Sequence, residues 1–286
     1  MTMGASDSAI EPESLPTAPA LAARLRVFQP TRQPVELSGE WIETKWGKSG
    51  GRCRVIGALG QRHADVLDLM MYTRLDSERT QSGRLRLLID PYALRRAMAS
   101  GKRRARRSTK RGRDATPAYS YSQLIELVRE IMAATFEYES ADGARGGDAK
   151  IIEKREWSKI SATDPLNPGR ERRLWRITLS AEWAALLDEK GAWYDPRPVA
   201  HIHHGVAQAA ARLLLTHDAS KWPGAGLRIE TVLDWLGVPA AGQQRRDARR
   251  RLAESAPDLA PIGLIIENGY VRAGVAQTPG GVGKRG

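Results

Sequence analysis

The sequence predicts an α+β fold of two winged-helix domains in tandem, mostly helical with short antiparallel wings. Two observations lead to this prediction. The order helix, short strand, helix, helix and hairpin occurs twice along the chain, with Pro196–Pro198 between the two copies. The second copy ends in Asn268-Gly269 between two apolar runs, which is the strongest two-residue signal for a β-hairpin. We therefore expect a disordered extension at 1–40, domains at 41–195 and 199–273, and a flexible basic tail at 274–286.

Helical spacing and helix-end signals define the first copy. Asp90-Pro91 is a typical helix start, and Ser120-x-x-Gln123 is a capping box in front of another helix. Alternating polar and apolar residues at Thr135–Ser140 predict a strand with one buried face. The predicted helices are about Gln61–Leu75, Pro91 to about Ser100, about Tyr121–Ala134, and Ser180 to Gly191. The predicted strands are Leu85–Ile89, Thr135–Ser140, Lys150–Ile160 and Arg173–Leu179.

The second copy is shorter and follows the same order. An alanine- and leucine-rich face predicts the first helix, and Gly237 ends the second. A third helix is dense in arginine and stands directly before the hairpin. The predicted helices are His203–His217, Glu230–Leu236 and Gln243–Ser255, and the predicted strands are Leu227–Ile229, Leu264–Ile266 and Tyr270–Arg272.

The charge balance points to a polyanionic partner. Lysine and arginine number 45 against 33 acidic residues, a formal net charge of +12 with a pI near 10.1. Such a field attracts nucleic acid first and an anionic membrane surface second. No apolar run reaches the ~18–20 residues of a membrane span, and the single cysteine, Cys53, excludes a disulfide framework. The first twenty residues lack the basic start of a secretory signal, so we expect a cytoplasmic protein without a membrane partner.

The arginine-rich helix has the layout of a DNA-recognition helix. Ala248 and Leu252 mark an apolar strip, so the broad opposite face carries the polar side chains. Side chains at the N-terminal end of such a helix read base edges, and arginines bind guanine edges or phosphates. The alternative is a solvated cationic surface. The candidate DNA-binding residues on this helix and on the wing are Gln243, Gln244, Arg245, Arg246, Arg249, Arg250 and Arg272.

The first domain offers two further candidate regions for contact with DNA. At the start of its third helix, small polar residues fit phosphate contact and plain helix capping equally well. The basic block at 102–113 has no apolar face, so we expect it to hold phosphates without sequence preference, or to be a solvated run of charge. The candidates at the helix are Ser120, Ser122, Gln123 and Arg129, and those in the block are Lys102, Arg103, Arg104, Arg106 and Arg107.

Two short motifs suggest enzymes but lack the surrounding pattern that the chemistry needs. His201-Ile202-His203-His204 contains the His-hydrophobic-His pattern of metal-dependent nickases, which need these histidines on a strand beside a helix with a catalytic tyrosine. Here the histidines open a predicted helix, and the only downstream tyrosine is Tyr270 on the wing. Gly47-Lys48-Ser49 looks like the end of a phosphate-binding loop, but no apolar strand precedes it. We expect no catalytic residue, no metal and no cofactor, and so no enzyme.

With these patterns placed, the chain resembles plasmid replication initiators of the iteron-binding class, IncQ-type RepC proteins most of all and TrfA-like initiators more distantly. The resemblance covers about Ile56 to Ala273. It is sharpest at Leu174–Ser180 with the helix that follows, and from the arginine-rich helix through Ala256–Gly263 into the wing. It implies that the second domain binds direct repeats at an origin, while the first contacts adjacent DNA and mediates dimerisation. Monomers would open AT-rich DNA and recruit the replicative helicase, and dimers would serve plasmid copy control.

Two other functions stay open at this point. A winged-helix transcriptional repressor would use the same two domains on an inverted repeat, as a stable dimer, without unpairing the DNA. The His-x-His nickase is the less favoured alternative. It would require a divalent metal and would leave a covalent adduct between DNA and a tyrosine.

Overall fold

The computed structural model describes residues 15–24, 26–44, 51–99, 119–140, 143, 146–164, 167–189 and 191–274. The expectations for the basic block at 102–113, for Gly47-Lys48-Ser49, for residues 1–14 and for residues 275–286 lie outside the described residues. The helices are α1 (Ala20–Arg24), α2 (Gln61–Thr73), α3 (Pro91–Ala97), α4 (Tyr121–Ala133), α5 (Ala181–Glu189), α6 (Pro196–His201), α7 (Gly205–Leu215), α8 (Ile229–Trp235), α9 (Gln243–Glu254) and α10 (Ala256–Leu259). The strands are β1 (Ala18–Pro19), β2 (Leu37–Ser38), β3 (Ile42–Thr44), β4 (Gly51–Gly57), β5 (Asp76–Arg79), β6 (Leu85–Ile89), β7 (Thr135–Ser140), β8 (Gly146–Lys150), β9 (Ile152–Asp164), β10 (Asn167–Leu179), β11 (Gly191–Ala192), β12 (Leu227–Arg228), β13 (Leu264–Glu267) and β14 (Tyr270–Ala273).

Two larger antiparallel sheets and the two-stranded sheet β1-β11 contain the described strands of the first half of the molecule, which comprises α1–α5 and β1–β11. One sheet has the order β2-β4-β7-β8, with β3 also paired to β4, and the other has the order β5-β6-β10-β9. Helix α4 packs by the stripe that its spacing predicts, because Leu124, Leu127, Val128 and Ile131 are all buried. This half is a mixture of helix and strand, so the prediction of a mostly helical chain with short wings is wrong here. Strands β9 and β10 span thirteen residues each.

Some strands were not predicted, either because their residues are polar or because they pair with a segment far along the chain. Strand β5 is entirely polar and mostly exposed, so no apolar alternation marks it, and its pairing with β6 holds it in the sheet. Strand β4 places Cys53 and Val55 in the core and pairs with β7, which lies far along the chain. Cross-strand pairing between distant segments leaves little trace in a local pattern.

The second half, which comprises α6–α10 and β12–β14, follows the predicted order closely. The predicted helices and strands from α7 to β14 end within about two residues of their predicted bounds, and the short helix α10 was not predicted. The three strands form a sheet of order β12-β14-β13. Between β13 and β14, Asn268 and Gly269 have φ of 48° and 80°, the left-handed conformation that a tight hairpin turn requires. The hairpin prediction is therefore confirmed.

The N-terminal segment from Leu15 to Glu40 is ordered in the residues that the structure describes, so the prediction of a disordered extension is wrong there. Strand β1 pairs with β11, and Val27 is fully buried. Arg24 donates a hydrogen bond to the carbonyl of Thr216 (2.9 Å) in the second half. Arg26 donates to the carbonyls of Asp234 (2.9 Å) and Trp235 (2.8 Å). An Ala- and Pro-rich composition suggests disorder, but these contacts with distant residues supply the missing stabilisation.

A buried cluster of charged and polar side chains joins the two halves. Arg212 on α7 donates to Asp68 Oδ2 (2.7 Å), Asp65 Oδ1 (2.6 Å) and Gln61 Oε1 (2.8 Å), all of them on α2. Burial alone would lower the pKa of Arg212, but the two carboxylates together raise it, so the guanidinium stays charged. The hydrophobic clusters of the two halves also meet, at the adjacent residues Val199 and Ala200 of α6. The structure therefore ties the halves together by polar and apolar contacts.

Candidate nucleic-acid interface

The outer face of α9 presents the polar side chains that the sequence predicts. Leu252 is fully buried, and Ala248 packs against the core of the second half. Gln243 and Gln244, in the first turn, are exposed, and no side chain caps the helix at Gly242. The outer arginines keep exposed side chains with few partners. Arg246 donates to Gln243 Oε1 (2.9 Å), and Arg250 donates to Glu254 Oε1 (2.8 Å). Arg249 Nη1 lies 3.5 Å from Glu230 Oε1.

Arg245 corrects one of the predicted DNA contacts. It is only 8% exposed, because its position on α9 points back towards α8. Its guanidinium donates to Glu230 Oε2 (2.6 Å), lies 2.7 Å from Asp234 Oδ1 and donates to the carbonyl of Glu230 (2.8 Å). Burial alone would lower the pKa of Arg245, but these two carboxylates raise it. Arg245 therefore fixes α9 against α8, and its donors are not available to a phosphate.

Arg272 lies on the exposed side of the C-terminal hairpin. Its Nε donates to the carbonyl of Ala225 (3.0 Å), and its Nη1 lies 3.6 Å from Glu267 Oε2. These contacts use two of the guanidinium nitrogens, and the residue remains exposed. The position agrees with a basic group at the surface of a wing.

The N-terminus of α4 uses most of its polar residues for its own capping. Ser120 Oγ accepts a hydrogen bond from the backbone N–H of Gln123 (3.1 Å), and Gln123 Oε1 accepts one from the N–H of Ser120 (2.8 Å). This reciprocal pair is the capping box that the sequence predicts. Of the candidates in this region, Ser122 and Arg129 keep exposed side chains that are not part of the capping box. The structure thus assigns a capping role to Ser120 and Gln123.

A cleft of about 1730 Å³ is lined by residues of both predicted DNA-contact regions, the start of α4 and the start of α9. Gln123 from α4 and Gln244 from α9 both line it, with Arg32, Arg62 and Arg251 as basic neighbours. The sequence does not predict that these residues lie together, because Arg32 belongs to the segment expected to be disordered. The Nε atoms of Arg32 and Arg62 are buried and have no hydrogen-bond partner in the described part of the chain.

A row of three aromatic rings and one guanidinium lies in the first half beside the start of α4. This aromatic row consists of Tyr121, Trp175, Arg155 and Trp157. Trp175 Nε1 donates to Tyr121 Oη (3.1 Å), and the two ring centres are 5.6 Å apart. The guanidinium carbon of Arg155 lies 4.9 Å from the ring centre of Trp157 and 5.0 Å from that of Trp175. None of these four residues is among the candidates predicted from the sequence. The signal was Arg155-x-Trp157, which puts a cation and an aromatic ring on the same face of one strand.

Two solved protein structures share this architecture. The first contains domain 2 and domain 3 of RctB, with a TM-score of 0.50 and 10% sequence identity over 89% of this chain and 95% of that chain. The second, RctB domains 2–3 (residues 155–483), has a TM-score of 0.50 and 9% identity over 88% and 94% of the two chains. The fold resembles that of RctB domains 2 and 3. No family model matches the sequence, and no curated protein matches it either.

The RctB-like fold includes both halves, so the order of α7–α9 and the C-terminal hairpin is part of a likeness that runs along most of the chain. At such low identity the likeness concerns the fold and assigns no residue a role. The finer resemblance to IncQ-type RepC and TrfA-like proteins stays an expectation.

The histidines of the nickase motif occupy positions in this RctB-like fold that differ from those a nickase needs. His201 ends α6, His203 is exposed, and His204 directly precedes α7, so they lie between two helices rather than on a strand. Among the described residues there is no group of three or more side chains that could hold a metal ion. No helix in the described part of the chain is long and apolar enough to span a membrane.

Proposed function

We propose that this protein is a replication initiator that binds duplex DNA through the outer face of α9. The observation that carries the proposal is an exposed, arginine-rich helix in front of a hairpin, in a fold shared with two domains of RctB, a replication initiator. The net charge of +12 supplies the long-range attraction for a polyanion. Both halves are winged-helix domains in this proposal.

The side chains of α9 divide by position. Gln243, Gln244 and Arg246 lie at the N-terminal end, where a helix in the major groove reaches base edges. Arg249 and Arg250 lie one turn further on and pair with phosphates, replacing their weak surface contacts with Glu230 and Glu254. Arg272 on the hairpin binds the backbone of the neighbouring groove. In this arrangement the helix reads sequence, and the hairpin fixes its register.

The resemblance to iteron-binding initiators extends the proposal to the origin. The second half binds direct repeats, and the first half, through Ser122 and Arg129, contacts adjacent DNA and mediates dimerisation. Binding energy bends and unpairs AT-rich DNA without a covalent step, so the protein is not an enzyme. The replicative helicase is then recruited, and dimers control plasmid copy number.

Footprinting of the purified protein on the noncoding DNA beside its own gene tests this proposal, with permanganate as a probe of unpaired thymines. Evenly spaced protected direct repeats next to reactive thymines are the expected result. Protection of a single inverted repeat without reactive thymines would instead identify a transcriptional repressor. A covalent protein–DNA adduct that forms only with a divalent cation would identify a nickase.

A further inference from the structure

The aromatic row (Tyr121, Trp175, Arg155 and Trp157) is exposed to solvent at both of its ends. Trp157 is 57% exposed and Tyr121 is 43% exposed, whereas Trp175 between them is buried. Trp157 lies directly opposite Trp175, on the edge strand β9 of its sheet. Single exposed apolar residues are common on protein surfaces and need no explanation. Here, however, two exposed rings belong to one continuous set of ring and guanidinium contacts. Such an arrangement does need an explanation.

The cation in the row is not neutralised by the described residues around it. Arg155 Nη1 is buried and has no hydrogen-bond partner among the side chains and backbone that the structure describes. Burial is the main cause that lowers the pKa of Arg155; Tyr121 opposes this shift, and the nearby positive charge of Arg129 on α4 adds to it. A buried donor without an acceptor costs free energy, and a ligand that carries an acceptor would recover it once the Arg155 side chain turns towards the surface.

The chemistry of the row matches an unpaired nucleobase. Each base offers a flat π-face that stacks on Trp or Tyr, together with acceptor atoms and a phosphate for a guanidinium. Bases within a duplex are already covered on both faces by their neighbours. The Trp157 ring packs on the Arg155 guanidinium at the protein surface, so it can stack only on a base that has left the duplex.

We propose that the aromatic row is a binding site for single-stranded DNA, in which Trp157 and Tyr121 stack on unpaired bases and Arg155 binds the strand that carries them. The row lies on the first half of the molecule, whereas the proposed duplex site lies on α9 of the second half. The inference therefore goes beyond the proposed duplex binding and is tested separately from it.

The test measures binding of the full-length protein to fluorescent oligo(dT) of about 20 nucleotides, which cannot form a duplex and exceeds one single-strand site. Trp157→Ala should raise the Kd by about 5-fold to 150-fold, the range expected for loss of one stacked base. Trp157→Phe keeps an aromatic ring and should stay close to the wild type. Trp193→Ala is the matched control, because Trp193 is another exposed tryptophan but lies outside the row.

An abasic strand of the same length separates stacking from charge attraction, since it keeps the phosphates and lacks the bases. The wild type and Trp157→Ala should bind it equally. Equal binding of oligo(dT) by the wild type and Trp157→Ala would overturn the proposal. So would a loss of equal size on oligo(dT) and on the abasic strand.

Duplex binding in the same titrations keeps the two proposals apart. Unchanged specific duplex binding by Trp157→Ala, together with the loss on oligo(dT), supports two separate sites. If the protein binds its duplex repeats and Trp157→Ala does not change oligo(dT) binding, the single-strand site is wrong and the duplex site stands. If Trp157 governs oligo(dT) binding and no specific duplex is found, the duplex proposal is wrong and the single-strand site stands.

Discussion

Helices α4 and α9 both begin with polar side chains that fit DNA contact, and the structure uses the two beginnings differently. At α4, Ser120 and Gln123 bond to each other's backbone and close the end of the helix. At α9, Gly242 stands at the cap without a side chain, and Gln243 and Gln244 remain exposed. The difference teaches that polar residues at a helix start serve folding when a capping pair is spaced correctly. They are available for recognition when it is not.

The largest expected effect is on DNA binding by α9. Replacing Arg246 and Arg250 together by alanine should weaken binding to the footprinted repeat by about 2–6 kcal/mol, if each contact contributes about 1–3. Anisotropy titration with the specific duplex measures the change. The matched control is Arg86→Ala on β6, an exposed arginine outside both proposed DNA sites, which should have a much smaller effect. Unchanged affinity of the double variant would show that α9 does not read DNA.

A second test separates two neighbouring arginines of α9. Arg245→Ala removes hydrogen bonds to Glu230 and Asp234, so the free energy of unfolding should fall by about 1–3 kcal/mol. Arg246→Ala removes an exposed side chain and should change it by no more than about 0.5 kcal/mol. Urea denaturation followed by circular dichroism gives both values. Equal stability of the two variants would contradict the structural role of Arg245.

The capping role of Ser120 predicts a smaller loss of stability without a change in DNA binding. Ser120→Ala should lower the free energy of unfolding by about 0.5–2 kcal/mol, because it leaves a first-turn N–H without its acceptor. Ser122→Ala, two residues on, should be within about 0.5 kcal/mol of the wild type. A Ser120→Ala protein that is fully stable but binds DNA more weakly would make this residue a DNA contact after all.

The smallest expected effect concerns Arg249, which we assign to a phosphate. Arg249→Ala should lower the slope of log K against log salt by about 1 and weaken binding to all sequences alike. Titrations of specific and unrelated duplexes at several salt concentrations measure both quantities. A change in sequence preference with an unchanged slope would move Arg249 from the phosphate to a base edge.

The second half of the chain was predictable because its signals are local. Asn268-Gly269 imposes a tight turn by its backbone conformation, and Gly237 ends α8. The apolar strip of α9 follows from residues within one or two turns of each other. The first half was less predictable, since its long strands β9 and β10 and the polar strand β5 depend on pairing between distant segments.

Local spacing is sufficient to predict the arginine-rich helix, the hairpin after it and the capping of α4, since each depends on residues a few positions apart. Spacing also puts Arg245, seven residues before Leu252, on the buried side of α9, but its pairing with Glu230 and Asp234 depends on the packing of α8. The same is true of the segment from Leu15 to Glu40, which packs on both halves, and of Arg212, whose charge lies between two carboxylates of α2. These outcomes depend on which surfaces meet after folding. Burial and pairing between distant residues are set by the packing of the whole chain and not by local spacing.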